Sequence, residues 1–323
     1  MANQMPKRST RLKALTILAV MFTSVLYLQA QDKAPATTVP VRMTVAATPL
    51  GDKTMPEVSR DDVMVKQGKD RLKVTDWIPA RGDQAGLDLF ILIDDACDTS
   101  LGSQLGDLRA FITAQPSTTS VGVGYMSNAT VQIVQNFTTD HDQAAKALRL
   151  PLQTAGAFGS PYLSVVDLMK RWPAHPNRRE VVMVTDGIDR ARRDVGTRTP
   201  TINPDVDTAS NVAQRTGTII YTIYSPGIGH WHRSFLRAYN GQIGISKLSD
   251  ETGGESYFLG YQSPVSFKPY LDDIQKTINS QYILGFLAKP KKKAGLQGVR
   301  IDTEVAGVDF TAADSVWVPA AKK

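Results

Sequence analysis

The sequence predicts an α/β fold: a doubly wound, mostly parallel central sheet with helices on both faces, plus a small β region formed by the N- and C-terminal flanks. Three observations carry that reading. Residues 87–93 and 180–185 are almost unbroken apolar runs, the pattern of strands buried on both faces of a parallel sheet. Between residues 87 and 280, strand-like runs alternate with amphipathic helical ones, which builds an open sheet by repeated crossovers. Outside that span the pattern reverts to short alternating strands and glycine turns. Each outer piece is too thin to hold a core alone, so the two are expected to pair with one another.

In chain order, 39–47 alternates like a strand, 61–70 is a second strand with a glycine turn, and 72–78 is a third. The buried run 87–93 follows, then helical spacing over 105–113. Runs 119–126 and 130–137 form a hairpin across Ser127, Asn128 and Ala129, and 142–148 is helical. A helix over 162–172 is stopped by Pro173, because proline cannot continue the hydrogen-bond ladder. Strand 180–185, helix 205–216 and strand 218–224 come next. Residues 226–241 read as an insertion, followed by a short helix over 245–251 that Gly253 and Gly254 end. A strand at 256–259 and an amphipathic helix at 267–280 close the α/β part. The tail is β again, with the basic stretch 289–293 as a solvated hairpin tip.

The bulk properties narrow the class. Of 323 residues, 42% are hydrophobic and 21% charged, which fits a globular chain and excludes a disordered one. The formal charge is +6, but Lys7, Arg8, Arg11 and Lys13 put +4 of it into residues 1–30, which hold no acid. The remaining +2 is no nucleic-acid footprint. The four basic residues precede an apolar run over 14–28 and a small residue, Ala30, as in a secretory signal. That run falls short of the roughly 20 residues a spanning helix needs. Export to the periplasm or the medium is therefore expected, with an uncleaved anchor left open. The expected organisation is a signal at 1–30, a linker and N-terminal β segment at 31–86, the α/β domain at 87–280 and a C-terminal β segment at 281–323. Cys97 is the single cysteine and can form no internal disulfide.

The chemistry sits at strand ends. The first central strand runs into Asp94, Asp95, Ala96, Cys97 and Asp98; a later loop holds Gly159 and Ser160; the middle strand ends in Thr185, Asp186 and Gly187. In doubly wound sheets such ends share one edge, where oxygen ligands from several loops can gather a hard cation. This constellation resembles the von Willebrand factor A domain over 87–280. The flanks are similar to the acidobacterial secreted type, with Asp61, Asp62 and Gly68 ahead of the domain and Gln281, Tyr282 and Gly285 after it. The resemblance implies a metal-ion-dependent adhesion site built from a D-x-S-x-S loop, a Thr and a third-loop Asp. Carried across, Asp94 matches the first Asp, Ala96 the first Ser and Asp98 the second Ser. Ser160 stands for the Thr, and Asp186 for the last Asp. Ala96 supplies no oxygen and Asp98 brings an extra carboxylate, so the site is degenerate. Mg²⁺ or Mn²⁺ held by Asp94, Asp98, Ser160 and Asp186 is one reading. The other is that the two strand-end aspartates cap helix starts and loop amides without an ion.

The sequence argues against an enzyme. Its four histidines fall in no catalytic motif, and no glycine-rich phosphate loop is present. The expected function is an exported, non-catalytic binding or adhesion module that takes a protein partner on the loops at the sheet edge. The alternative is a metal-free scaffold that uses 226–241 and the β flanks. In the insertion, Trp231, Arg233 and Tyr239 are the candidate partner contacts. The basic loop 190–198 is read as solvated, with an acidic partner as the other possibility.

Overall fold

The computed structural model describes residues 38–51, 54–192, 203–228, 234–258 and 260–321. The signal at 1–30, Trp231, Arg233 and most of the basic loop lie outside the described residues.

The central sheet is built from β4 (Leu87–Asp94), β5 (Thr119–Ser127), β6 (Thr130–Thr138), β7 (Arg178–Thr185), β8 (Thr218–Tyr224) and β9 (Ser256–Tyr257). Their order is β6-β5-β4-β7-β8-β9, parallel throughout except for the antiparallel edge strand β6. Every residue of β4 is buried, as its apolar run requires. Leu89, Ile91 and Ile93 face one side of the sheet. There they meet α1 (Leu105–Thr113), α2 (His141–Lys146) and α6 (Lys268–Asn279). Phe90 and Leu92 face the other side, against α3 (Pro161–Arg171), α4 (Pro204–Thr216) and α5 (Phe235–Thr252). The chain leaves β4 towards β5 and later returns to its other side as β7. The switch point therefore lies between β4 and β7, where a crevice opens at their C-terminal ends.

The flanks form a second sheet. Here β1 (Val39–Pro49), β2 (Val63–Gln67), β3 (Asp70–Pro79), β10 (Gln281–Ala288), β12 (Arg300–Thr303) and β13 (Val308–Ala312) run antiparallel in the order β12-β2-β3-β10-β1-β13. A short ribbon of β11 (Gly295–Gly298) and β14 (Ser315–Val318) accompanies it. Val45, Val65, Leu284 and Phe286 make its core. Trp77 stacks on Tyr282 with ring centres 4.3 Å apart.

One helix differs from the sequence reading. The expected helix over 245–251 is the last part of α5, which begins at Phe235 and takes in the end of the supposed insertion. Gly241 and Gly244 lie within it, residues of low helix propensity. In the fold they are contact points, Gly241 lying against the backbone of Asp186 and Gly187 and Gly244 against the Tyr162 hydroxyl. Packing outweighs the roughly 1 kcal/mol that each glycine costs a helix interior.

Candidate functional site at the C-terminal edge of the sheet

Asp94 closes β4 and Asp186 follows β7, so the parallel register brings both to the crevice. Both are buried, Asp186 completely. Asp94 Oδ1 accepts from the Ala96 amide at 2.8 Å, and Oδ2 accepts from the Thr185 hydroxyl at 2.7 Å. Asp186 turns towards Arg190. The Arg190 Nη1 donates to Asp186 Oδ1 at 3.1 Å, and Nη2 donates to Oδ2. The loop can fold back this way because Gly187 adopts φ +69°, a left-handed conformation that glycine takes without strain. Arg190 was read as part of a solvated loop; it is instead buried, with a further bond from Nη1 to the Ile188 carbonyl at 3.0 Å.

Burial works against the guanidinium's charge, yet Asp186 and Asp94 more than offset this and hold it protonated beyond its ordinary range. The Asp94 carboxyl is pushed up to about 6. Burial is the main cause, with Arg190 opposing it and Asp186 adding to it.

Ser160 joins the same crevice. With Asp94 and Arg190 it lines a cavity of about 10 Å³. Its hydroxyl donates to Asp189 Oδ2 at 2.7 Å and accepts from the Leu163 amide, capping α3. Asp98 does not join. Its carboxylate accepts from the Ser100 amide at 2.8 Å and caps a short 3-10 turn over Thr99–Ser103. The structure thus brings Asp94, Ser160 and Asp186 together and leaves Asp98 outside. Tyr239 lies on the second turn of α5, part exposed and stacked on Phe235.

Two further aspartates organise the edge. Asp95 is fully buried and takes both terminal nitrogens of Arg149, at 2.7 and 2.9 Å, together with the Leu152 amide. It thereby holds the loop that leads to Ser160. Asp189 collects the Ser160 hydroxyl, the Asn203 amide nitrogen and the Ala191 amide. Neither stands out in the sequence, because each is partnered by residues far along the chain or on irregular loops.

The residues present do not fit a divalent ion. Both oxygens of Asp186 are spent on Arg190, Asp94 on Thr185 and Ala96, and Ser160 on Asp189. The cavity beside them has room for one water at most. Mg²⁺ gives up its waters reluctantly and, with those it keeps, needs far more space.

The strand order makes this a doubly wound α/β sheet with an antiparallel edge hairpin, and three strand-end loops gather in one crevice, as the resemblance to a von Willebrand factor A domain implies. No protein-family model and no curated protein matches the chain. Among solved structures it is similar to a von Willebrand factor type A protein from Catenulispora acidiphila. The identity is 8% and the TM-score 0.44, over 90% of this chain and 76% of that one. It is also similar to the vWF domain of a type V pili tip protein from Porphyromonas gingivalis, at 12% identity and TM-score 0.41, over 60% and 95%. A third is an aerotolerance-related membrane protein from Bacteroides fragilis, at 12% identity and TM-score 0.43, over 60% and 99%. Among the described residues no helix is long and apolar enough to cross a membrane.

Proposed function

We propose that this chain is an exported, non-catalytic binding or adhesion module that docks a protein partner on the loops at the C-terminal edge of its central sheet. One observation carries the reading. Among the described residues, six of the nine exposed large apolar side chains stand on that edge: Leu150, Leu152, Phe158, Phe235, Tyr239 and Val265. Phe158, 68% exposed on the loop before α3, and Phe235, 69% exposed at the start of α5, flank the buried Asp186–Arg190 pair from two sides. Scattered apolar residues on a surface need no explanation, but a concentration at one edge marks an interaction site. Aromatic anchors of this kind carry much of the energy in protein interfaces.

Within the 226–241 stretch, the part from Phe235 onward belongs to the same edge, since Phe235 meets Tyr261 and Tyr261 meets Tyr224 at the end of β8. The scaffold alternative therefore differs only in giving the β flanks the contact. A photo-crosslinking residue placed at Phe158 or Phe235, and in parallel at Leu50 or Ile78 on the flanks, separates the two in the cells that make the protein. Adducts to one discrete protein from the first pair alone support edge docking. Adducts from the flank pair alone favour the scaffold, and none from any position sinks both.

A further inference from the structure

We infer that Arg190 is the resident cation of this crevice: its guanidinium supplies the positive charge that the buried Asp186 and Asp94 would otherwise take from a metal, so the edge is metal-independent, and removing the side chain uncovers a latent site for a divalent cation. This holds or fails separately from the question of which partner docks.

A bridging ion in such a crevice has two effects. It neutralises buried carboxylates and ties together loops from different strands. Arg190 does both. Its side chain takes both oxygens of Asp186. Its backbone amide and that of Ala191 donate to the Gly159 carbonyl at 2.7 and 3.0 Å. It therefore ties the loop after β7 to the loop before α3. A guanidinium suits this post because its planar fork matches a carboxylate and it stays charged when buried.

The crevice is also sealed. After β8 the chain passes over the ion pair, and residues 226–228 are bonded along the Ala96 loop. The Asp98 amide donates to the Pro226 carbonyl at 2.9 Å, and the Ile228 amide to the Ala96 carbonyl at 3.0 Å. Gly227 lies so close that a Cβ there would stand 2.0 Å from Asp186 Oδ2 and 2.6 Å from Arg190 Nη2. An ion arriving from solvent would have to displace both this strap and the guanidinium. The position that lacks an oxygen, Ala96, uses its carbonyl to hold the strap instead.

Without the Arg190 side chain, the carboxylates of Asp94 and Asp186 and the hydroxyl of Ser160 would face a guanidinium-sized hole. Those are hard oxygen donors from three loops, the donor class that Mg²⁺ and Mn²⁺ take.

The test is a Mn²⁺ titration followed by electron paramagnetic resonance on the full chain. The wild type is compared with Arg190→Ala, Arg190→Gln and the double variant Arg190→Ala/Asp186→Asn. Circular dichroism melting establishes which of these fold. The wild type is expected to leave the free-ion signal unchanged up to millimolar Mn²⁺ and to melt at the same temperature in EDTA. A folded Arg190 variant should take up one Mn²⁺ at least about tenfold more tightly than the wild type, and the double variant should lose it. Stoichiometric uptake by the wild type that Asp186→Asn abolishes overturns the inference. So do folded Arg190→Ala and Arg190→Gln chains that both leave Mn²⁺ free. If neither single variant folds, the wild-type titration and the EDTA melt decide between resident guanidinium and metal.

Discussion

Asp94 and Asp186 are the same residue type in one crevice beside the same guanidinium, and their neighbours give them different chemistry. Asp186 has a cation on both oxygens, whereas Asp94 has one hydroxyl and one amide. Burial therefore pushes Asp94 up to about 6, well above the usual value of an exposed aspartate. A carboxyl whose pKa is raised by folding keeps its proton in the native state while the unfolded chain gives it up. Between about pH 4 and 6 the native state binds more protons, so rising pH erodes stability, and above about 6 the loss is complete. Asp94→Asn removes this dependence. Expressed relative to that variant, the wild type should lose stability as pH rises from about 4 to 6 and then level off. Urea midpoints at a series of pH values measure it; a flat difference would mean that Asp94 is ionised throughout. At this scale the sequence showed the two aspartates and Ser160 converging on one edge. It did not show Arg190, because an acid and a base four residues apart in a loop carry no periodic signal. Only the turn at Gly187 brings them face to face.

At the scale of the element, α5 shows how packing settles what propensity leaves open. Its glycines at 241 and 244 lowered the helical signal, and the strict apolar spacing starts only at Ile245. The helix nevertheless extends back to Phe235, because a residue without Cβ lets its backbone lie on the end of β7. Gly241→Ala distinguishes the two influences by sign. On propensity alone, alanine should stabilise the helix by about 1 kcal/mol. In this fold the added Cβ would stand 2.5 Å from the Asp186 carbonyl oxygen and 3.0 Å from the Gly187 carbonyl carbon, so either the helix or the ion-pair loop must shift. We expect a net loss of about 1–3 kcal/mol, the usual cost of overpacking a tight contact, read from denaturant midpoints. A gain in stability would mean that the early turns of α5 do not rest on that loop. Other elements were more legible. The helices over Leu105–Thr113 and Pro204–Thr216 have clean apolar spacing, and Gly217 at φ +65° ends the latter as a left-handed cap.

Across the whole molecule, the two ends of the chain are one structure. β10 lies between β3 and β1, pairing with Trp77 on one side and Val45 on the other, and neither N-terminal strand has an alternative neighbour in that position. The join to the α/β part is buried and polar. Arg178, at the start of β7, reaches Gln281 and Glu180, and the Ala47 amide donates to the Ser280 carbonyl at 3.1 Å. Ending the chain after Ser280 should therefore do more than shorten it. It would strip β1 and β3 of their shared strand, expose Val45 and Val65, and leave Arg178 and Glu180 without Gln281. The expected outcome is a chain that loses its cooperative thermal transition or precipitates. Circular dichroism melting of the truncated and full chains measures it, and an unchanged transition would show that the α/β part stands without its flanks.

What the sequence determined by itself is whatever depends on periodicity and punctuation. Unbroken apolar runs define strands buried on both faces, 3.6-residue spacing defines helices, and strand ends rich in Asp and Ser define the edge where chemistry gathers. These signals are local and repeat along the chain. What the tertiary structure decided is which charges meet. The pairing of Arg190 with Asp186, of Arg149 with Asp95 across more than fifty residues, and the closing of Gly227 over the crevice depend on loop shape and sheet register. A cation and a carboxylate lowered into a dry interior must find each other or pull the chain apart. That requirement acts only once the fold exists, and no pattern in the sequence announces how it will be met.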